Sequence, residues 1–444
     1  MASMQSVVAF LAKPPFQQAA KNFGWLLTER VVRFGLGTVV GFVVARYLGP
    51  TQLGSLSYCL AVVTLFGVFA GFGLDAVIKR DLLQTPEHTA QLLADGMALR
   101  LLAGSGAALG LLVFLAAGPD QGSSERKIFM ILGLLVWQPA LMVPELWLQA
   151  RLLARYSVVA QTAALAVSAS LRIWLVLIEA PLVAYASATV IEALLAGIFL
   201  RYAARRAGLR IHWFAARFES MRRLAAEAGP LAMASLAIVV YIKIDEVMLR
   251  QLVGATEVGI YSAATRLTEV WYFLPAALAS SLLPALMRAR AGGEEPYRRH
   301  LQRYYDLNAA VAYLLSVPMA LTAPWLVRVA YGTPFAASSA IVVVHIWSIV
   351  FVFLGVARGQ WLVNERLQRF YLMVTLSGAV INIALNFVFI PRWGGVGAAW
   401  ATVFAQATAA WLSSFCSRDV RSAGWMQTRA LLVPVLGWRY FFPK

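Results

Sequence analysis

"GPTQLGSLS" at Gly49–Ser57 and "GATEVGIYS" at Gly254–Ser262 share both glycines, the threonine and the final serine. Two further pairs follow in the same order. "WLQARLLARY" (Trp147–Tyr156) matches "WLVNERLQRF" (Trp361–Phe370), and "ASATV" (Ala186–Val190) matches "AWATV" (Ala399–Val403). The offset stays between roughly 205 and 214 residues, so the matches describe one duplicated unit rather than scattered similarities. The halves divide near Arg205–Arg223, the most basic loop of the chain.

Composition shows what has been duplicated. Hydrophobic residues make up 60% of the 444 and charged residues only 13%, about half the charged share of soluble domains. A hydrocarbon core about 30 Å thick needs roughly 20 apolar residues per helix. Runs of that length lie near Phe23–Val44, Leu53–Leu74, Leu92–Ala117, Ile128–Leu148, Ser157–Ile178 and Pro181–Ala203. The second half repeats the count near Gly229–Leu249, Gly259–Pro284, Leu307–Tyr331, Ser338–Trp361, Phe370–Ile390 and Gly395–Phe415. The expected fold is therefore an all-α polytopic membrane protein of about twelve transmembrane helices.

An even number of spans inserts both halves in the same orientation. The halves become two six-helix lobes, 23–204 and 224–416, related by a pseudo-two-fold axis along the membrane normal. Parallel repeats of this kind place a substrate site between the lobes and work by alternating access. A cytoplasmic segment 1–22, the basic linker 205–223 and an interfacial tail 417–444 complete the expected division. No cleaved signal is expected, because the first basic residue is Lys13 and Val7–Ala12 is shorter than a signal's apolar region.

The formal net charge of +17 does not indicate a nucleic-acid partner, because the basic residues gather in alternate loops. Lys79 and Arg80, Arg151 and Arg155, Arg201–Arg223, Arg288–Arg303, and Arg366 with Arg369 fall on one side. The intervening loops hold little beyond Arg46, Arg126, Lys127, Arg250 and Arg392. This asymmetry places both termini in the cytoplasm. Cys59 and Cys416 lie inside predicted spans, so no disulfide or metal site is expected.

Charges inside the spans are the candidate functional residues. A charge at a helix centre costs about 2.5–3.5 kcal/mol on insertion scales, so such residues face a cavity or a partner. Glu29 with Arg33, Lys243 with Glu246, and Arg266 with Glu269 stand one helical turn apart and can pair locally. Arg172 has no acidic residue within a turn, and Arg30 adds a second cation beside the Glu29–Arg33 pair. A surplus of guanidinium groups suits an anionic substrate, phosphate above all. Arg100, near a span end, is expected to snorkel to the headgroups. Asp245 lies about 200° around its helix from Lys243 and must meet a different neighbour. It is open as a coupling-ion or proton site and as a partner for another helix's arginine. His345 in "VVVHIWS" reads as a hydrogen-bonded structural residue, with proton relay as its alternative. Asn382 and Asn386 are expected to tie helix to helix. Pro139, Pro144, Pro275, Pro284, Pro318 and Pro324 predict kinked or interrupted helices.

No G-x-x-x-x-G-K-[ST] loop is present, so the chain carries no ATPase of its own. No cofactor, metal centre or catalytic residue is expected. A membrane-embedded glycan polymerase or ligase would want a sizeable external loop, and the external loops here are short.

The stretch "VARYLGPTQLGSLSYCLAVVTLFGVFAGFGLDAVIKRDL" (Val44–Leu82) resembles the bacterial polysaccharide and O-antigen flippases. These are the Wzx-like polysaccharide transporter branch of the multidrug/oligosaccharidyl-lipid/polysaccharide (MOP) exporter superfamily. "IKIDEVMLRQLVGATEVGIYSAATRLTEV" resembles that family's seventh and eighth spans, and "GGVGAAWATVFAQ" (Gly394–Gln406) its twelfth. The resemblance implies export, without catalysis, of an undecaprenyl-diphosphate-linked oligosaccharide across the bacterial inner membrane, through a cationic cavity between two lobes. It makes Arg30, Arg33, Arg172 and Lys243 candidates for the diphosphate or acidic sugars, and Asp245 the family's recurrent acidic position. The partners it implies are the lipid-linked glycan, membrane lipids, and the polymerase and glycosyltransferases of the same pathway. A cation-coupled drug exporter of the same superfamily is the nearest alternative, but it would favour an acidic or aromatic cavity.

Overall fold

The computed structural model describes residues 14–71, 73–117, 122–209, 216–365 and 367–436, and every regular element among them is helical. Lys13, Arg210, Arg366 and the tail beyond Leu436, including Arg439, lie outside the described residues. The helices are α1 (Pro14–Gly71), α2 (Leu74–Gln84), α3 (Thr89–Ala117), α4 (Ser123–Leu132), α5 (Gln138–Leu141), α6 (Val143–Ala150), α7 (Ala154–Leu177) and α8 (Leu182–Arg206). Then follow α9 (Phe218–Leu252), α10 (Ala255–Glu269), α11 (Leu274–Ala291), α12 (Glu294–Tyr331), α13 (Ser338–His345), α14 (Ser348–Asn364), α15 (Gln368–Ala410), α16 (Arg418–Leu431) and α17 (Val433–Leu436).

Among the described residues, eight helical stretches are long and apolar enough to cross a membrane. A ninth arises if the two parts of α9, bent by 51° between Gly229 and Leu231, count as one span. Among the described residues, all twelve predicted runs fall on helical stretches. Thr28–Gln84 and Gln368–Cys416 each carry two runs, broken at Gly49 (φ 69°, ψ 175°) and Gly394 (φ 54°, ψ −133°). A residue with a Cβ pays a steric penalty at such positive φ values, and glycine does not. Eight stretches thus hold ten runs, α9 holds the eleventh, and Gly259–Pro284 lies on α10 and α11 across a 3₁₀ turn at Val270–Phe273. The prolines act as expected in two ways. Pro139, Pro144 and Pro275 open new helical segments at a first turn, where a missing N–H costs nothing. Pro318 and Pro324 sit within α12.

The chain folds into two compact units, Met1–Leu48 with Cys59–Val239, and Gly49–Tyr58 with Val240–Lys444. In the first, α7 and α8 pack along one another, and Glu179 at φ 52° turns the chain between them. Leu74, Ile78, Leu93, Trp147, Leu200 and Leu224 build a packed cluster at one end. In the second, α14 packs on α15 and α12, and α16 lies along α12. Arg290 grips Glu365 through two hydrogen bonds of 2.7 and 3.0 Å, joining the ends of α11 and α14. That carboxylate holds the Arg290 guanidinium above its ordinary value. Large apolar side chains point outward, among them Leu177 at 76%, Leu314 at 71% and Leu321 at 79% exposure. In water this would be an aggregation surface; against acyl chains it is the normal one.

The duplication extends to backbone detail. Leu153, before α7, has φ −101° and ψ 38°; Leu367, before α15, has φ −98° and ψ 37°. Leu153 N donates to Leu148 O and Leu367 N to Leu362 O, both at 2.8 Å. Within the second unit the duplicated stretches Gly49–Ser57 and Gly254–Ser262 meet directly. Thr51 Oγ1 and Thr256 Oγ1 lie 2.9 Å apart. A Cβ on Gly54 would overlap the Ala255 carbonyl oxygen and come 2.8 Å from Gly259 N. A Cβ on Gly259 would overlap the Pro50 carbonyl oxygen and come 3.0 Å from Gly54 N. Matched residues thus touch matched residues, and the crossing is locally two-fold. Close backbone approach through small residues is how helices associate where lipid removes any hydrophobic drive between them.

Candidate functional site

In the second unit the α9 stretch Tyr241–Leu252 places its charges on separate faces. Lys243 Nζ donates to Glu246 Oε1 at 2.8 Å, one turn away. Asp245 points elsewhere and is buried. Its Oδ2 accepts from Tyr261 OH at 2.6 Å and Thr402 Oγ1 at 2.8 Å, and its Oδ1 from Asn386 Nδ2 at 2.6 Å. These donors come from α10 and α15, so one carboxylate gathers three helices. The same Asn386 amide reaches Asn382 Oδ1 at 3.1 Å. Asn382 Nδ2 and Asn386 Oδ1 are buried beside it with no hydrogen-bond partner. All three donors to Asp245 are neutral, so the site can take a proton or a small cation without first breaking an ion pair.

His345 lies beside Tyr261, one of the partners of this carboxylate. His345 is buried and shares a 2.8 Å hydrogen bond with Thr268; its ring meets Tyr261 edge-on at 6.2 Å. Glu269 interacts electrostatically with Lys243, Glu246, Asp245 and Arg266. Arg266 is exposed and reaches Ser57 Oγ at 3.5 Å. Asp245, Glu246, Lys243 and Glu269 therefore form one polar cluster inside an apolar bundle.

In the first unit Arg33 Nη2 donates to Glu29 at 3.2 Å and to Gln161 on α7 at 2.7 Å. Arg30 is exposed. Arg172 pairs with Glu192 on α8 at 2.9 Å and donates to Thr189 at 3.3 Å. Arg172 has no acidic residue within a turn on its own helix, and its partner comes from the next one. The pair spans the α7–α8 hairpin, a separation that spacing along one helix does not encode. Arg33 and Arg172 also do not converge on one point. Their contacts on α7, at Gln161 and at Arg172 itself, lie roughly 16 Å apart along the helix axis. The snorkelling expected of Arg100 is corrected. Its side chain is 2% exposed, pairs with Asp75 and donates to Pro139 O at 2.8 Å. Arg358 is buried too, donating to Ser413 and Ser414 hydroxyls at 2.8 and 2.7 Å and to Ala409 O at 2.6 Å.

The polar positions themselves repeat. Ser168 and Thr189 hold Glu192 and Arg172 in the first unit. Their counterparts 214 and 213 residues on, Asn382 and Thr402, stand beside Asp245 in the second. Arg172 itself matches Asn386. Thr189 and Thr402 belong to the matched pair "ASATV" and "AWATV", so that motif marked both polar sites. Tyr261 and Thr402 were missed as partners of Asp245 although both lie inside quoted motifs.

The Arg172–Glu192 pair yields a prediction. Arg172→Gln and Glu192→Gln should each destabilise the protein, and the double variant should lie closer to wild type, with a coupling of about 1–3 kcal/mol. Thermal unfolding in detergent measures this. Additive losses would show that the two side chains do not hold one another.

The sequence profile of the family described as "Polysaccharide biosynthesis protein" matches residues 19–290, and that of the MatE family matches residues 230–388. None of the curated proteins matches the sequence. Among solved structures, the lipid II flippase MurJ in an inward closed conformation superposes with a TM-score of 0.69 at 12% identity, covering 96% of this chain and 94% of that one. An inward-facing multidrug-resistance MATE transporter of the MOP superfamily gives 0.64 at 14% identity, over 91% and 99%. A MOP superfamily transporter from Pyrococcus furiosus gives 0.63 at 13%, over 93% and 96%. These likenesses establish the fold, and the profile match over more than half of the chain establishes the family: the chain belongs to the polysaccharide biosynthesis proteins.

Proposed function

We propose that this chain moves a polyprenyl-diphosphate-linked oligosaccharide, an O-antigen, capsule or exopolysaccharide unit, from the inner to the outer leaflet of a bacterial inner membrane. The observation that carries the reading is the polysaccharide-family match across residues 19–290. The cations inside those spans agree with it. Arg33 and Arg172 each engage two protein partners through Nη2, and a guanidinium has five N–H donors to distribute. Arg30, Arg33, Arg172 and Lys243 are the proposed ligands of the diphosphate or of acidic sugars. The work is conformational, by alternating access, with both termini in the cytoplasm. Asp245 is the proposed coupling site.

The test reconstitutes the purified protein in vesicles with a labelled polyprenyl-diphosphate oligosaccharide and follows its appearance in the far leaflet. Transport is expected, and Arg33→Gln should lower it at least tenfold on losing a charge-assisted contact. A protein that leaves this lipid where it is added, in both orientations, refutes the reading. The MatE match over 230–388 supports a second one, a cation-coupled drug exporter. That reading requires efflux of organic cations and indifference to the lipid-linked glycan.

A further inference from the structure

At the start of α12 the protein carries a strongly basic groove that includes none of the proposed substrate-binding residues. About 860 Å³ of open space lies between the exposed faces of α12 and α16. Arg298, Arg299 and Arg303 line one wall, and Arg418, Arg421 and Arg429 the other. Only two carboxylates, Glu295 and Asp306, stand among these six arginines, which leaves a local excess of four positive charges. Glu295 engages Arg299 at 3.7 Å, where both side chains remain well exposed, and Gln302 ties the walls together by donating to Met426 O at 3.0 Å. The two walls are thus tied together, and the arginines still outnumber the carboxylates by four.

We infer that this groove binds the phosphate headgroups of anionic phospholipids at the membrane surface. Three observations select a lipid over a soluble anion. First, α12 presents Arg299, Arg303 and Leu307 at four-residue intervals, then Leu314 and Leu321 at seven, all exposed. At about 100° per residue these positions share one face of the helix. A headgroup held by the arginines thus sets its acyl chains along a leucine track. Second, α16 is amphipathic: Val420, Ala423 and Ala430 are buried, while Arg418, Arg421, Trp425 and Arg429 face outward. Trp425, 64% exposed within the groove, is the residue type that settles at headgroup depth. Third, arginines flanking an apolar stripe are what an anionic leaflet attracts.

The inference concerns only the surface of the second unit and stands apart from the identity of the transported molecule. Its test places a bimane probe at Ser422→Cys, in a chain carrying Cys59→Ala and Cys416→Ser, reconstituted in phosphatidylcholine. Brominated phosphatidylglycerol should quench the probe at a mole fraction roughly tenfold lower than brominated phosphatidylcholine. Replacing Arg299, Arg303, Arg418 and Arg421 together by glutamine should erase that preference, while the same change at the exposed Arg205 and Arg206 should leave it. Thermal stability measured alongside confirms that the fourfold variant is folded. Equal quenching by the two lipids in the unsubstituted groove overturns the inference. So does full displacement of the phosphatidylglycerol signal by millimolar glycerol 3-phosphate, which would make the groove a site for soluble phosphates.

Discussion

Gly259→Leu should leave almost no folded protein in the membrane, and Gly54→Leu should do the same. Each glycine sits where a neighbouring helix's backbone takes the space of a side chain. An added Cβ would run into the carbonyl of Ala255 or Pro50. A carbonyl in a helix cannot swing aside as a side-chain tip can, so the two segments must separate along their length. Overpacking by one or two methylenes typically costs about 1–3 kcal/mol, and a leucine against rigid backbone should exceed that. The alanine variants should be milder and still clearly destabilised. Gly41, where an added Cβ meets nothing within 4 Å, provides the control: Gly41→Leu should accumulate and unfold like the parent. Fluorescence-detected size exclusion with a thermal ramp reads all of these variants. A stable, monodisperse Gly259→Leu protein would show that the crossing is not tight.

This crossing also shows how much of the fold could be read from the sequence, and where that reading stopped. The duplicated "GPTQLGSLS" and "GATEVGIYS" segments announced an internal repeat, and helical spans follow from composition and length alone. That the matched segments touch one another depends on register across some 200 residues of chain, which no local pattern encodes. Span counting met a related limit. At Gly49 and Gly394 two helices meet at a kink with no intervening loop, so adjacent apolar runs are parted by a kink at a single residue rather than by loop sequence.

At the site, local pairs were legible because helical spacing fixes them, as for Lys243 with Glu246 and Glu29 with Arg33. Pairs between helices were not. No acidic residue within a turn announces Glu192, twenty residues from Arg172, and nothing local to Arg100 names Asp75, so a snorkelling cation was expected there. The separation of Asp245 from Lys243 did follow from angular arithmetic. The identities of Tyr261, Asn386 and Thr402 as its neighbours required the fold.

Asp245→Asn should abolish gradient-driven transport while the protein stays folded. A carboxylate in the apolar interior costs several kcal/mol, and three neutral donors offset only part of that. A proton or monovalent cation that arrives at one stage of a cycle and leaves at another would change the charge of a residue joining α9, α10 and α15. Asparagine has the same shape but fixed neutrality, so it should remove dependence on either a proton or a sodium gradient. It should also turn one donor–acceptor contact into a donor–donor contact, at about 1–3 kcal/mol, a modest fall in melting temperature. Thr402→Val and Tyr261→Phe each delete one donor without touching the charge; they should shift the ion concentration for half-maximal transport and leave the maximal rate largely intact. If Asp245 is only a staple between helices, the order reverses. Asp245→Asn would then lose stability first, and the surviving protein would transport with its gradient dependence unchanged. Measuring uptake into vesicles under imposed pH and sodium gradients, with thermal unfolding of the same preparations, separates the two outcomes.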